Sequence, residues 1–444
     1  MKKVALHNLG CKVNAYETQA MEKLLGEHGY EIVPFTEEAD IYIINTCTVT
    51  NIADRKSRQM LHRAKKRNPS AIVVAAGCYV QTAEEQAKLD PAIDILVGNN
   101  RKKDIVAILE AYEADKRERT ACLDISKTDE FEVMELGVET EHTRVNLKVQ
   151  DGCNQFCSYC IIPYARGRIR SLPKEKAVGQ VEKFVKQGFQ EVVLTGIHIS
   201  SYGKDLKEKD GNEEGKREDL LSLIQAVHQV EGLKRLRLGS LEPGIITEEF
   251  VKEIAALEKL CPHFHLSLQS GSRTVLQRMN RHYSSEEYLD KCNLIRKYFA
   301  NPALTTDVIV GFPGETEKEF EESRNFLNQV DFYEVHVFQY SKRKGTKAAA
   351  MEKQIDEAKK SERSECLIAD GKVREKRYRE TFIGKEVSVL FEEEQEKNGD
   401  HYWTGFTKEY VRVALKTEKQ LKNMLINCRI YGFLDEELLI GERI

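Results

Sequence analysis

The feature that most constrains the fold of this 444-residue chain is a strand–helix unit repeated six times in its middle part. Each unit joins a short apolar run of strand length to a stretch with helical periodicity. Parallel strands joined by helices curl into a barrel, and six units fall short of the eight that close one. The predicted strands are 143–150, 191–199, 233–241, 263–270, 303–312 and 332–340, and the predicted helices are 174–188, 218–230, 247–258, 284–299, 315–329 and 351–378.

The segments on either side of these units have different patterns. Buried strands alternate with helices near the N-terminus, which predicts an open parallel α/β sheet. Short strands separated by turns near the C-terminus predict a small all-β barrel. The N-terminal strands are expected at 2–9, 39–46 and 71–77, with helices at 16–28 and 53–67. We therefore predict an α/β protein with an N-terminal domain (1–115), a linker (116–140), a central partial barrel (141–375) and a C-terminal β-barrel (376–444).

Composition narrows the class of protein. The chain is 41% hydrophobic and 32% charged, which is typical of a soluble globular protein, and no apolar run is long enough to span a bilayer. Eleven cysteines is an odd number, and the first residues do not have the pattern of a secretory signal. We therefore expect a cytoplasmic protein with reduced thiols and no membrane partner.

Three cysteines, Cys153, Cys157 and Cys160, directly follow the first strand of the predicted barrel. Barrel enzymes carry their chemistry at this end of the strands. The last two cysteines alone would fit a redox dithiol, and a fourth ligand such as His142 or His198 would complete a zinc site. A [4Fe–4S] cluster with three cysteine ligands accounts best for the number three, and it leaves one iron open to a substrate.

Three further cysteines, Cys11, Cys47 and Cys78, each stand at the end of a predicted parallel strand. The carboxyl ends of parallel strands share one edge of a sheet, so these thiols are expected to converge. Gly10 and Gly77 allow the backbone to approach closely. Three unrelated buried cysteines are the alternative.

The chain resembles the radical S-adenosylmethionine enzymes and, along nearly its whole length, their methylthiotransferase family. The motifs are "NLGCKVN", "NTCTVT", "AGCY", "QDGCNQFCSYCIIPYARGRIRS", "LTGIHI", "LQSGS" and "DVIVGFPGE". The resemblance implies two [4Fe–4S] clusters, one at a radical site (Cys153, Cys157 and Cys160) and one at an auxiliary site (Cys11, Cys47 and Cys78). The first would bind S-adenosylmethionine and cleave it to a 5′-deoxyadenosyl radical, using an electron from a flavodoxin-type or ferredoxin-type donor. The second would carry the sulfur that is methylated and transferred.

Within this family, "NLGCKVN", "ARGRIRS" and "YSKRKGT" most resemble the branch that modifies tRNA beside the anticodon. The implied reaction converts N6-threonylcarbamoyladenosine at position 37 to its 2-methylthio derivative, with the anticodon stem-loop as the partner. The C-terminal barrel resembles the RNA-binding TRAM module of the family. Alternatives are a methylthiotransferase acting on a ribosomal protein side chain or on isopentenyladenosine tRNA, and a non-catalytic iron–sulfur regulator that binds RNA.

Residues at the ends of the barrel strands are candidates for binding S-adenosylmethionine. Small or backbone groups are expected near the methionyl amine, polar groups near the ribose and glycine backbone near the adenine, while an arginine could pair with the carboxylate. The candidates are Thr195, Gly196, Ser240, Glu242, Gln269, Ser270, Arg281 and Gly311.

Binding of RNA requires positive charge, but the net charge of the chain is −4. Local runs supply it: residues 55–67 carry seven Lys or Arg, and residues 342–379 carry 13. The C-terminal barrel has 9 basic and 12 acidic residues from 381 onward, so RNA binding there would need a local face. Further candidates are Arg166, Arg168 and Arg170, with Tyr402, Trp403, Phe406, Tyr410 and Arg412 for stacking on bases.

Overall fold

The computed structural model of the protein describes residues 1–117, 119–137, 143–206, 218–397 and 399–444. Its N-terminal part is a parallel sheet of six strands in the order β2-β1-β3-β4-β5-β6. The open parallel sheet agrees with the sequence prediction, whereas the short strands β2, β5 and β6 are additional to the three predicted strands. The strands are β1 (Lys3–Asn8), β2 (Glu31–Ile32), β3 (Ile41–Thr46), β4 (Ile72–Gly77), β5 (Ile95–Val97) and β6 (Thr120–Ala121). The helices are α1 (Lys12–Glu27), α2 (Asn51–Arg67), α3 (Cys78–Thr82), α4 (Glu84–Lys88) and α5 (Ile105–Ala114).

The first helix begins earlier than the sequence pattern suggests. Helix α1 starts at Lys12 rather than at residue 16, because Asn14 in its first turn is buried and donates hydrogen bonds to the carbonyls of Leu9 and Thr46. A polar residue that interrupts an apolar pattern hides the start of a helix when its partners come from distant loops. The consequence is that Cys11 lies at the N-terminal end of this helix.

The middle part has six parallel strands in chain order, with one short antiparallel strand, β8, added beside the first. The strands are β7 (Arg144–Asp151), β8 (Arg170–Ser171), β9 (Glu191–Gly196), β10 (Arg235–Leu238), β11 (His263–His265), β12 (Ala303–Val310) and β13 (Glu334–Gln339). The helices are α6 (Ile162–Arg166), α7 (Lys174–Lys186), α8 (Leu220–His228), α9 (Glu248–Ala255), α10 (Arg273–Arg278), α11 (Ser285–Tyr298), α12 (Glu317–Val330) and α13 (Glu357–Glu380).

The barrel wall is less regular than six equal strands. Strands β10 and β11 belong to separate ladders, which isolated parallel bridges join at Leu236–Leu260 and Leu241–Leu266. The fourth predicted strand, 263–270, ends at His265, and Gln269 has a φ of +73° that no extended strand adopts. The chain therefore turns at the end of this strand, where the candidate cofactor residues lie.

The C-terminal part is a closed ring of five strands in the order β14-β15-β16-β18-β17. All pairs are antiparallel except β16 with β18. Residues 401–415 contribute to two strands rather than one, because Tyr410 has a φ of +71° in the turn between them. The strands are β14 (Glu386–Lys397), β15 (Asp400–Phe406), β16 (Arg412–Lys416), β17 (Leu425–Phe433) and β18 (Leu439–Arg443).

The N-terminal sheet and the barrel share one hydrophobic core. Val4 and Ile43 of the sheet belong to the same buried cluster as Val145 and Leu194 of the barrel. Burial of apolar surface on this scale stabilises a fixed arrangement of the two parts. In the part of the chain that the structure describes, no helix combines the length and the apolar character needed to cross a membrane.

Candidate active site

The radical site lies on the loop that leaves β7. Gly152 has a φ of +72°, and a side chain there would overlap the carbonyl oxygen of Arg168. Its backbone N–H donates to the carboxylate of Asp151 at 2.8 Å, and the N–H of Cys153 donates to the carbonyl of Gly167 at 3.0 Å. These contacts fix the direction in which the first cysteine leaves the strand.

The middle of the same loop is held in a strained conformation. Phe156 has a φ of +49°, which is rare for a bulky residue and costs about 1–3 kcal/mol. Asn280 donates to its carbonyl at 3.2 Å, and the hydroxyl of Ser158 donates to the carbonyl of Arg278 at 2.8 Å. The turn after α10 therefore holds the loop that contains Cys157.

The three thiols of the radical site lie near enough to one another to interact electrostatically, and none forms a disulfide. Burial raises the pKa of Cys153 to about 11 and that of Cys160 to about 12. Thiols that are buried together become thiolates when a metal centre balances their charge. Three soft donors on one short loop therefore fit an iron–sulfur cluster with one iron open to another ligand.

A partly buried ion pair stands beside this site. Arg281 donates two hydrogen bonds to Glu242, at 2.6 and 2.7 Å, and one to the Sγ of Cys157 at 3.2 Å. Its guanidinium also lies over the ring of Tyr283, 4.9 Å from the centroid. Arg281 is thus a buried residue of the site and not a surface arginine. The guanidinium and the carboxylate are complementary to the carboxylate and ammonium of an amino acid such as the methionyl end of S-adenosylmethionine.

Four of the other predicted cofactor residues lie at or just beyond the carboxyl ends of barrel strands. Ser240 is exposed at the end of the third barrel strand, two residues before Glu242, and Thr195 is buried near the end of β9. Gly196 packs against β7, where a side chain would lie 2.9 Å from the carbonyl of Gln150. Gln269 is partly buried in its left-handed turn. The structure therefore gathers four carboxyl-terminal strand ends around the radical site.

Two predicted residues point elsewhere. The hydroxyl of Ser270 lies 3.0 Å from that of Ser323 on α12, inside the protein. Gly311 donates its N–H to Glu315 at 2.7 Å, and a side chain there would collide with Lys360 of α13. Both residues shape the turns between strand and helix, which is the structural role that such sequences often have.

Sequence reasoning gave His198 only as a zinc ligand. Its side chain lies 3.8 Å from the carboxylate of Glu242 and 3.4 Å from the amide of Gln155, on the cysteine loop. Burial lowers the pKa of His198 and so favours the neutral imidazole. No spacing signal could have placed His198 beside the ion pair, because the contact depends on the turn after β9. His142, the other histidine considered as a zinc ligand, lies outside the described residues.

The auxiliary site is formed at the carboxyl ends of β1, β3 and β4, which are neighbours in the sheet. Cys11, Cys47 and Cys78 follow these strands and interact with one another electrostatically. Gly10 has a φ of +104°, and a Cβ there would lie 2.9 Å from the Sγ of Cys47. Gly77 has a φ of +94° directly before Cys78. Gly10 therefore leaves space for the thiol of Cys47, and Gly77 lets the chain pass close to Asn45 and Thr46 of the neighbouring strand.

The surroundings of the auxiliary site suit an anionic metal centre. Cys11 is exposed and yet has enough protein around it that desolvation raises its pKa, while the Arg166 guanidinium opposes this rise. Exposure to solvent together with desolvation by the surrounding protein is typical of a side chain that lines a deep cleft. Burial raises the pKa of Cys47 to about 11. Asn99 donates to the Sγ of Cys78 at 3.5 Å. Three free thiols with a nearby cation fit a thiolate-bound cluster.

The structure corrects part of the expected RNA interface. Arg166 and Arg170 are fully buried and cannot contact a phosphate, whereas Arg168 is exposed. Four basic residues of 342–379 are likewise buried, in contacts with carboxylates or an amide: Arg343, Lys360, Arg363 and Arg374.

The aromatic residues of the C-terminal ring are also engaged within the protein. Trp403 and Tyr402 are buried in the ring itself. Phe406 and Tyr410 stack on each other at 4.5 Å and hold Arg144 of the barrel over their rings. Arg412 donates to Thr404. Burial removes Tyr402 and Trp403 as stacking groups, whereas Phe406, Tyr410 and Arg412 are partly exposed.

Comparison with known proteins decides the family. The Radical SAM superfamily model matches residues 147–327, and the model of Uncharacterized protein family UPF0004 matches residues 3–98. The threonylcarbamoyladenosine tRNA methylthiotransferase MtaB of Bacillus subtilis is 40% identical over 97% of this chain and 94% of its own length. The chain belongs to the radical S-adenosylmethionine methylthiotransferase family.

Relatives named for a second activity are nearly as similar. A tRNA-2-methylthio-N(6)-dimethylallyladenosine synthase of Clostridium botulinum is 34% identical over 95% of this chain and 92% of its own length. Among solved structures, the radical S-adenosylmethionine methyltransferase TsrM of Kitasatospora setae covers 76% of this chain and 73% of its own, with a TM-score of 0.55 and 16% identity. This last likeness concerns the fold alone.

Membership confirms the enzyme class and the cofactors that the sequence suggested. The protein is a radical S-adenosylmethionine methylthiotransferase, and its family uses S-adenosylmethionine and [4Fe–4S] clusters.

Proposed function

We propose that this enzyme converts N6-threonylcarbamoyladenosine at position 37 of tRNA to its 2-methylthio derivative. The observation that carries the proposal is the presence of two three-cysteine sites on facing edges of one shared core, in a chain that is 40% identical to a relative named for this nucleoside. Helix α6, which follows the radical cysteines, packs against α3, which begins with Cys78. Both sites therefore face the same contact between the sheet and the barrel.

The two sites have separate tasks in this proposal. Cys153, Cys157 and Cys160 would hold the cluster that binds S-adenosylmethionine, with Arg281, Glu242, Thr195, Gly196, Ser240 and Gln269 around it. Cys11, Cys47 and Cys78 would hold the auxiliary cluster. When bound, these groups supply the electron, the hydrogen-abstracting radical and the methylthio group that an unactivated C2–H bond requires.

The protein's own residues would bind, orient and shield. The partly buried Arg281–Glu242 pair presents one charge of each sign beside Cys157, so it orients a zwitterionic amino acid end by charge. Neutral His198 closes the other side of Glu242 without adding a third charge. Apolar surface from Tyr159 and Tyr283 limits access of water to this end of the barrel.

An exposed group on the cysteine loop supports contact with RNA. Arg168 lies over the ring of Phe156 at 5.1 Å, and the exposed ring of Tyr164 packs edge-on against Phe156 at 6.0 Å. Aromatic and guanidinium planes stack on unpaired bases, which are available in an anticodon loop. Exposed Arg55, Lys56, Arg63 and Lys66 on α2 add positive charge for the phosphates. The C-terminal ring is TRAM-like in this proposal and contributes a local RNA-binding face.

The test is the nucleoside content of tRNA. Deletion of the gene should remove 2-methylthio-N6-threonylcarbamoyladenosine from tRNA hydrolysates, with the unmethylthiolated nucleoside accumulating in its place. Purified holoenzyme, S-adenosylmethionine and a flavodoxin-type or ferredoxin-type electron donor should restore it on that tRNA. Unchanged hydrolysates in the deletion strain would reject the proposal.

A second candidate substrate is dimethylallyladenosine in tRNA. It is favoured by the relative that is 34% identical and is named for that nucleoside. The same tRNA hydrolysates distinguish the two candidate nucleosides. Loss of the methylthio group from dimethylallyladenosine in the deletion strain would assign the enzyme to that substrate. Modification of a ribosomal protein would leave both nucleosides intact.

A further inference from the structure

Six charged side chains are completely buried between the auxiliary site and the radical site. They form hydrogen bonds and ion pairs with one another across the contact of the N-terminal sheet and the barrel, and we name them the interdomain charge network. Buried charges at such a contact are costly unless they are paired, so their presence calls for a role. The members are Glu17, Lys102, Lys148, Asp151, Arg166 and Arg170.

Glu17 is the centre of this network. Its carboxylate accepts hydrogen bonds from Lys102 of the N-terminal part and from Lys148 and Arg166 of the barrel, at 2.8 Å for Lys148. Glu17 lies on α1, the helix that begins directly after Cys11, and Lys148 lies on the strand that leads to Cys153. One carboxylate therefore connects the elements that carry the two cysteine sites.

The network reaches the auxiliary site through two asparagines. Lys102 donates to Asn99 at 2.9 Å, and Asn99 in turn donates to the Sγ of Cys78 and to the carbonyl of Ala165. Arg166 donates to the side chain of Asn14, whose amide donates to the carbonyls that precede the loops of Cys11 and Cys47. All three cysteines of the auxiliary site are thus connected to the network.

The network reaches the radical site through Asp151. One carboxylate oxygen of Asp151 pairs with Lys148 at 2.6 Å and with Arg166 at 3.3 Å, and lies 3.7 Å from Arg170. The other accepts the N–H of Gly152, the residue before Cys153. A continuous path of buried polar contacts therefore joins Cys78 to the backbone that positions Cys153.

The network contains four cations and two carboxylates, which leaves a surplus of two positive charges. Glu132, also buried nearby, has its pKa raised by burial, which favours its neutral form. An uncompensated buried charge is strongly unfavourable, so the surplus needs an anion next to it. Arg166 faces Cys11 and Cys78, whose thiolates supply negative charge when they bind a metal centre.

We propose that the interdomain charge network is a positioning device: Glu17 and Arg166 fix the auxiliary site relative to the radical site, and Arg166 holds a positive charge against the auxiliary cluster. This inference rests on the proposed function in assuming that both sites hold clusters. It does not depend on the nucleoside that is modified. Arg166 and Glu17 contact neither substrate nor S-adenosylmethionine in this account and act through the cysteine loops.

The first test measures the relation of the two sites in the full-length holoenzyme. With both clusters reduced by dithionite, relaxation enhancement in pulsed EPR depends steeply on the distance between them. We expect Glu17→Gln to weaken this enhancement or to spread it over several values, while the wild type shows one value. An unchanged enhancement in a folded Glu17→Gln variant that retains iron would overturn the positioning role.

A matched variant separates positioning from stability. Glu191 forms a buried ion pair with Arg237 at the opposite end of the barrel, where Arg237 also holds the C-terminal ring. Glu191→Gln should lower the Tm as Glu17→Gln does and leave the relaxation enhancement at its wild-type value. Should Glu17→Gln fail to fold, Lys102→Met, which keeps two partners for Glu17, takes its place with the same criteria.

The second test concerns the charge of Arg166. Arg166→Gln removes a cation beside the auxiliary cluster and should lower the midpoint potential of that cluster only, because the reduced cluster is the more negative form. Arg166→Lys should retain most of the wild-type potential. Equal potentials in all three proteins would overturn the electrostatic role. Neither test uses tRNA. If the relaxation enhancement and the midpoint potentials change as expected but the enzyme does not modify tRNA, the proposed function alone is rejected.

Discussion

The guanidinium of Arg281 lies 3.2 Å from the Sγ of Cys157 while it binds both carboxylate oxygens of Glu242. Cys157 and Arg281 come from different turns of the barrel, 124 positions apart, and their contact is partly buried. It brings a fixed pair of opposite charges to the edge of a three-cysteine site. The account of cofactor binding depends on this pair.

Replacement of Arg281 tests that role. Arg281→Met should raise the concentration of S-adenosylmethionine needed for half-maximal cleavage by at least about tenfold, because the site loses its cation and the partly buried Glu242 is left without its partner. Arg278→Lys is the matched control, since Arg278 pairs with Glu319 away from the cysteines. An unchanged concentration dependence in Arg281→Met would show that the pair is structural only.

The division of labour between the cysteine sites predicts two different losses. Cys157→Ala should abolish both cleavage of S-adenosylmethionine and methylthiolation, because the radical site is incomplete. Cys47→Ala should retain cleavage and lose sulfur transfer. Cys292→Ala, a buried cysteine of α11 outside both sites, should retain both activities. Loss of cleavage in Cys47→Ala with intact radical-site iron would contradict the assignment.

Space at the auxiliary site can be tested with a single methyl group. Gly10→Ala would bring a Cβ to 2.9 Å from the Sγ of Cys47, so it should lose the auxiliary cluster and retain the radical cluster. Gly29 also has a positive φ but nothing within 4 Å, so Gly29→Ala should cost about 1 kcal/mol of stability and no iron. Equal iron content in the two variants would contradict the claim that a side chain at position 10 excludes the auxiliary cluster.

Acid should destabilise the apoprotein through His263. Burial, with Arg237 and Lys12 nearby, holds the pKa of His263 well below the value of 6.5 for an unfolded chain. The unfolded state therefore binds more protons below pH 6.5, so the free energy of unfolding falls as the pH drops through that range and is fully regained above it. Urea unfolding measured between pH 5 and pH 8 should show that the free energy of unfolding falls less at acid pH in His263→Gln than in the wild type. The exposed His28→Gln variant should keep the wild-type profile.

Much of this architecture could be predicted because the signals are local. Apolar runs such as 71–77 and 303–312 become strands wherever they are placed in an α/β fold, and Cys153, Cys157 and Cys160 are close in sequence. The convergence of Cys11, Cys47 and Cys78 was also inferable, since each follows a strand of one parallel sheet.

What could not be predicted depends on contacts between distant elements. Arg166 and Arg170 looked like RNA contacts because their charge is visible in the sequence, whereas their burial against Glu17 and Asp151 is not. Ser270 and Gly311 stand at strand ends as the pattern requires, but their direction is set by helices α12 and α13. Charge in a sequence does not reveal whether its partner is solvent, RNA or another side chain.

The central claim, that each three-cysteine site holds its own cluster, is tested most directly by the iron and sulfide content of anaerobically reconstituted protein. We predict about eight of each per chain in the wild type, and about four when Cys153, Cys157 and Cys160 or Cys11, Cys47 and Cys78 are replaced together by alanine. A wild-type chain with about four of each, or none, would contradict the account.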